Sequence, residues 1–398
     1  MLATTMFSLV LMTAPVQYRN ASTLTGIDVL VQQGFKPLMG KRVGLITNHT
    51  GLDRQGRRNI DVMIDGGVKL TALFAPEHGF AGTEDRSGLG DMVDSKTGIK
   101  IFSLYGKTNR PTPEMLKELD ALVFDIADVG VRFYTYETTM AFGMEEAARA
   151  KIPYFVLDRP NPVTGTRVEG PLLEEGNTSF AGYHAGTPAR HGMTMGELAQ
   201  MFNKERKINA DLTVIAMKDW RRTDWFDSTG LAWINPSPNM RSLKAAILYP
   251  GVCLIEFAPN ISVGRGTDSP FEQFGGDFLK GRELSAFLNA RILPGVRFYP
   301  TSFTPTESRF KDKWIEGVRI EITDREKVES VRIGIEVACA IETLYPGKVD
   351  WKRSERLIGS DDTVRRIIAG QNAVAIMKSF EGPLQGFMQV RAKYLIYR

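Results

Sequence analysis

Residues 121–139 read ALVFDIADVGVRFYTYETT, and the first ten of them decide the fold. A strand with one wet face alternates apolar and polar side chains, whereas Ala121–Phe124 is apolar at every position, as a strand covered on both faces requires. The run ends in Asp125, Asp128 and Gly130, and the stretch 138–150, TTMAFGMEEAARA, then has helical spacing with Glu145, Glu146 and Arg149 on its wet side. The same unit recurs on either side. RVGLITN (42–48), KLTALFAP (69–76), KIFSLY (100–105) and IPYFVLDRP (152–160) read as further buried strands, with helices predicted at 26–33, 59–66 and 113–119. Strands alternating with helices predict an α/β fold, a Rossmann-like and mostly parallel sheet covered on both faces. Ligands of such sheets bind outside the carboxyl ends of the strands. That rule draws Asn48, Glu77, Tyr105, Asp125, Asp158 and Arg159 along one edge.

The pattern changes after Tyr183. HGMTMGELAQMFNKE (191–205) predicts a helix in which Thr194 and Glu197 have the spacing of a capping box. DLTVIAM (211–217) predicts another strand, and INPSPNMRS (234–242) an irregular surface segment. From about Leu248 a smaller α+β domain is expected, with a strand at 317–323 and a helix at 328–344. The expected organisation is thus a leader over 1–22, a Rossmann-like domain over 23–247 and a C-terminal domain over 248–398.

The chain has 398 residues, 50 of them basic and 46 acidic, a balance too even for a nucleic-acid footprint. Cys253 and Cys339 form no CxxC pair and read as buried thiols. MLATTMFSLVLMTAPVQYRNAS has the apolar core and small-residue flank of a secretory signal, although no Lys or Arg precedes the core. It predicts a periplasmic or extracellular protein. No other stretch approaches the ~20 apolar residues of a membrane span, so no integral segment is expected in the mature chain.

Motif tests are mostly negative. GLDRQGRR (51–58) has P-loop glycine spacing without its lysine and hydroxyl, GxGxxG does not follow the first strand, and GxSxG is missing. Four histidines include no HExxH, so neither a cofactor nor a resident metal is expected. What remains is a set of carboxylates, arginines and aromatics at strand ends. Glu77 sits beside His78 and among Phe74, Ala75, Pro76 and Phe80, surroundings suited to a carboxyl that carries a proton and acts as a general acid. The glycines at 79, 82, 88 and 90 let the next loop fold back closely. Asp125, Asp128, Arg132, Tyr134 and Tyr136 form a denser group, in which 132, 134 and 136 share a face if the backbone is extended. Such a set serves a sugar site or an ordinary buried polar network. Arg159, Asn161 and Glu169 follow in LDRPNPVTGTRVEGP (157–171), and Arg265 stands between two glycines in NISVGRGT, placed to clamp a carboxylate.

Together, GLITNHTG, APEHGFAG, SLYGKTNRPTPEML, FDIADVGVRFYTY, LDRPNP, VEGP, RHGMTMGELA, PSPNM and ISVGRGT resemble the exo-β-N-acetylmuramidases of the NamZ type, glycoside hydrolases formerly classed as a domain of unknown function. The likeness runs from about Gly26 to the C-terminus. It implies removal of N-acetylmuramic acid from the non-reducing ends of peptidoglycan fragments, in a cleft between the two domains, with Glu77 as catalytic acid/base. The substrate-binding candidates in the shared stretches are Asn48, His78, Tyr105, Asp128, Arg132, Tyr134, Tyr136, Arg159, Asn161, Glu169, Arg190, Asn239 and Arg265. Glycosidases usually pair two carboxyls, although some retaining enzymes use the substrate's own 2-acetamido group. Asp125, at the end of a central strand, ranks first as the second group, ahead of Asp128 and Glu169. Two other classes stay open on the residues alone: a non-catalytic cell-wall sugar-binding module, and an α/β enzyme acting on another amino sugar or a phosphosugar.

Overall fold

The computed structural model describes residues 22–84, 88 and 90–398, so the apolar leader lies outside the described residues. Helix α1 (Gly26–Gln32) precedes strand β1 (Arg42–Thr47), and α2 (Asn59–Asp65) leads to β2 (Lys69–Ala75), β3 (Met92–Val93) and β4 (Lys100–Ser103). Helix α3 (Pro113–Leu116), β5 (Ala121–Asp125), α4 (Tyr136–Ala150) and β6 (Tyr154–Leu157) follow, then β7 (Glu169–Leu172), β8 (Pro188–Arg190), α5 (Met195–Glu205) and β9 (Leu212–Ile215). The seven-stranded sheet has the order β3-β4-β2-β1-β5-β6-β9 and is parallel except for the β3–β4 edge pair. β7 and β8 form a separate antiparallel ribbon.

The doubly covered strands explain the unbroken apolar runs. In β5, Leu122 and Phe124 face the core shared with α4 and α5, while Ala121 and Val123 face the core shared with α1 and α2. At α5 the predicted cap is present: the Thr194 hydroxyl accepts from the Glu197 N–H, and the Glu197 carboxylate accepts from the Thr194 N–H at 3.0 Å.

The remainder is α6 (Leu243–Val252), β10 (Gln273–Gly276), α7 (Gly281–Ala290), β11 (Val296–Phe303), β12 (Ile315–Ile322), α8 (Ser330–Leu344), α9 (Glu355–Ile358), α10 (Asp361–Ile368) and α11 (Ala373–Arg391). β10, β12 and β11 make an antiparallel sheet on which α7 packs, and α8 lies against α6 and α7. Residue 248, where the second domain was expected to begin, lies inside α6. That helix carries Pro250 and is buried from Ala245 to Val252, so it shows no amphipathic period. The chain ends back on the large sheet. Tyr397 donates its hydroxyl to Asp158 at 2.6 Å, and the Ile396 N–H donates to Glu197 at 2.9 Å.

Two features of the connection between the halves set up the site. The Arg132 guanidinium, fully buried, donates to the carbonyls of Leu357 and Ile358 at 2.9 and 3.0 Å, and Gly359 (φ +77°) leaves room that any β-carbon would take from it. Segment 131–135 is a turn closed by the Tyr134 N–H donating to the Val131 carbonyl at 3.0 Å, not the extended run that would align 132, 134 and 136.

Candidate active site

Outside the carboxyl ends of β2, β4 and β5 lies a cleft of about 850 Å³. Its near wall comes from the large sheet: Glu77 and His78 two and three residues after β2, Tyr105 after β4, and Tyr134, Thr135 and Tyr136 where the β5 loop becomes α4. Its far wall comes from the C-terminal half, with Tyr249 and Cys253 around the end of α6, Glu256, Phe257, Arg265 and Phe271 beyond it. Ser237 and Met240 close it between the two.

Glu77 is half-buried on this wall, and the Thr135 hydroxyl donates to its carboxylate. The following backbone bends sharply, with His78 in the left-handed region (φ +68°) and its Nδ1 2.8 Å from the Glu84 carbonyl. The close fold-back expected of the glycines is real at Gly82 (φ +68°), where a β-carbon would lie 1.8 Å from the His49 ring. Tyr136 anchors the floor, donating to the Pro236 carbonyl at 2.7 Å while Asn48 donates to its oxygen at 3.2 Å. Burial pushes the Tyr136 and Tyr134 hydroxyls well above the ordinary phenol range, and the nearby Glu77 carboxylate adds to both shifts. These phenols therefore act as neutral hydrogen-bonding groups. On the far wall, Arg265 lies 2.5 Å from Glu256 and over the Phe271 ring. The Cys253 thiol donates to Glu256 at 3.1 Å, and burial raises its pKa, so it is no nucleophile.

The fold thus brings together Glu77, His78, Tyr105, Tyr134, Tyr136 and Arg265. It places the other predicted residues elsewhere. Asp125 does not line the cleft: both its oxygens are taken, Oδ1 by Arg159 Nε at 2.6 Å and Oδ2 by Arg159 Nη2 at 2.9 Å and Asn59 at 2.8 Å. It is a buried structural ion pair, which corrects its reading as second catalytic group. Arg190 and Glu169 form another such pair at 2.6 Å, with Glu169 also accepting from the Val331 N–H. Arg132 ties the two halves as described above, Asn161 donates to the Met193 carbonyl at 2.9 Å, and Asn239 is buried in the turn before α6. The sequence reading missed Thr135, Ser237, Tyr249, Glu256, Phe257 and Phe271; of these Thr135 and Ser237 lay in stretches already singled out. Among the described residues no cluster of His, Cys, Asp or Glu suits a metal ion.

Asp128 borders a neighbouring cavity instead, its Oδ2 accepting from the Gly130 N–H at 2.7 Å. Burial raises its carboxyl to about 7 against the lowering effect of the Gly130 and Val129 N–H groups. The folded protein then holds a proton that the unfolded chain has released, so this contribution to stability is full below ~pH 4 and is lost as the pH rises through about 7. Asp128→Asn keeps the acceptor and cannot ionise. Its stability relative to wild type should therefore increase from about pH 4 to about pH 8 in urea titrations; parallel pH profiles would refute the assignment.

Family models of the exo-β-N-acetylmuramidase NamZ match the chain twice, its N-terminal part over residues 43–244 and its C-terminal part over 247–397. Peptidoglycan β-N-acetylmuramidase NamZ of Bacillus subtilis (strain 168) is 47% identical over 378 residues, 94% of this chain and 91% of that protein. Two crystal structures of DUF1343 family proteins from Bacteroides fragilis share the fold. One superposes with a TM-score of 0.87 at 37% identity and the other with 0.78 at 31%, each covering 95% of this chain and 99% of its own.

Proposed function

The chain belongs to the NamZ family of exo-β-N-acetylmuramidases, and from that membership we propose that it releases N-acetylmuramic acid from the non-reducing ends of peptidoglycan fragments, with Glu77 as general acid/base. The observation that carries the role of Glu77 is its position: a carboxyl oriented by Thr135 on the wall of the interdomain cleft, with Tyr105 and Tyr134 beside it for a sugar ring. The acid protonates the glycosidic oxygen as the bond to the leaving sugar breaks, and the resulting carboxylate then draws a proton from water.

Glu256 is the other acid lining the cleft among the described residues, and Arg265 and Cys253 engage it. We therefore infer that the substrate's 2-acetamido oxygen supplies the second group, as some retaining enzymes do. Hydrolysis of a chromogenic N-acetylmuramide tests the activity; a protein that binds the sugar without turnover would be a binding module instead.

Muramic acid differs from N-acetylglucosamine by a lactyl ether with a carboxylate. Of the four arginines among the substrate-binding candidates, Arg132, Arg159 and Arg190 are buried in structural contacts, and Arg265 lines the cleft. Arg265→Ala should weaken binding of the acidic sugar by ~1.5–3 kcal/mol, the range for hydrogen bonds to charged groups. Binding of N-acetylglucosamine should change little, and an unchanged preference would remove Arg265 from the role. The substrate class and the apolar leader together support export to the periplasm or beyond. The exported chain should then have a mass short of the leader, and full-length protein retained in the cytoplasm would overturn this.

A further inference from the structure

A second cavity, of about 640 Å³, opens outside the carboxyl ends of β1, β5 and β6. It occupies the crevice between β1 and β5 where the strand order reverses, the place at which open α/β sheets hold their ligands. Among the described residues none lines both this cavity and the Glu77 cleft; Pro236 borders the one and Ser237 the other, so the 234–237 strip is a wall between them.

The lining is chemically specific. Leu52, Pro160, Pro162, Leu231 and Ile234 give it apolar walls, and Trp233 and Phe226 meet edge to face at 5.2 Å. Asp128, only 8% exposed, lines it too, and its Oδ1 has no hydrogen-bond partner among the described residues. A buried polar atom left unpaired is costly, which points to a partner that the protein itself does not supply.

Most of the charge lining the cavity is already engaged within the protein. Arg159 is neutralised by Asp125, Asp53 is paired with Arg57 at 2.7 Å, and Arg54 donates Nη1 to the Thr23 carbonyl at 2.8 Å. The chain after β1 also lacks the glycine-rich phosphate cradle of dinucleotide-binding sheets. An aromatic wall, apolar sides and one carboxyl suit an uncharged ring with an apolar face and hydroxyl donors.

We propose that this switch-point cavity is a second saccharide site, which takes a neutral N-acetylhexosamine ring stacked on Trp233 with a hydroxyl donated to Asp128. The choice of N-acetylhexosamine rests on the peptidoglycan reading above, since that is the neutral sugar alternating with muramic acid; the existence of a ring site rests on the cavity alone.

Calorimetry and saturation-transfer NMR with N-acetylglucosamine and its β-1,4 dimer test this on the full chain. Saturable binding is expected in wild type and in Glu77→Gln, weakened about tenfold or more in Trp233→Ala, as for loss of an aromatic anchor, and largely restored in Trp233→Phe. Absence of saturable binding in wild type, equal binding in Trp233→Ala, or preferential binding of AMP or inorganic phosphate would each overturn the proposal. Turnover of a chromogenic N-acetylmuramide by the same wild-type preparation is scored separately: activity without neutral-sugar binding at Trp233 sinks the second site alone, and binding without activity sinks the muramidase reading alone.

Discussion

Glu77→Gln is expected to lower kcat at least about a hundredfold while leaving the fold and ligand binding nearly intact. General acid–base catalysis contributes ~10²–10⁴-fold, and glutamine keeps the shape and the contact with Thr135 but has no proton to transfer. The loss should depend on the leaving group. An aglycone that departs without protonation, such as a nitrophenolate, should suffer less than a sugar, because the acid matters most where the leaving oxygen is most basic. Removal of the acetamido carbonyl from the substrate should abolish turnover independently of this change, since the second group then disappears. Turnover close to wild type in Glu77→Gln on a sugar leaving group would take Glu77 out of the mechanism.

Arg159→Met is expected to be the most damaging single change for stability, at about 3–5 kcal/mol. It removes one partner of a pair in which Asp125 is fully buried, and the remaining bond from Asn59 cannot compensate a carboxylate left in the core. Breaking such a pair costs more than replacing both members, so Asp125→Asn combined with Arg159→Met should recover part of the loss. Asp125→Asn by itself should retain turnover in whatever fraction stays folded. Chemical denaturation of the single and double variants checks the pattern. Equal stability of Arg159→Met and wild type, or loss of turnover without loss of fold in Asp125→Asn, would restore Asp125 as a catalytic candidate.

These two residues show where reading the chain stops. The inner strands β1, β5 and β6 were legible because each is apolar on both faces, and the carboxyl-edge rule then picked out Glu77 and Tyr105. The Thr194–Glu197 cap was legible from spacing alone. Asp125 and Arg132 were misplaced for one physical reason: a charged side chain at a strand end or in a following loop reads the same whether it faces a ligand or pairs in the core. Arg159 decides the first case, and the carbonyls of Leu357 and Ile358, more than 220 residues away, decide the second. Alternation at 132, 134 and 136 suggested a shared face, but the bond from the Tyr134 N–H to the Val131 carbonyl makes a turn of it. Tyr134 and Tyr136 still meet, edge to face at 5.0 Å, through the turn. The far wall of the cleft was invisible because α6 is buried around Pro250 and carries no period, and nothing local says that Tyr249, Glu256 and Phe271 come to face Glu77.

The central claim, an exo-acting muramidase with Glu77 as its acid, is met most directly by following the products from a defined peptidoglycan oligosaccharide that carries muramic acid at its non-reducing end. Chromatography with mass detection should show free N-acetylmuramic acid accumulating with wild type, a complementary product that begins with N-acetylglucosamine, and neither with Glu77→Gln over the same interval. Internal cleavage products, or release of muramic acid at the same rate by Glu77→Gln, would contradict it.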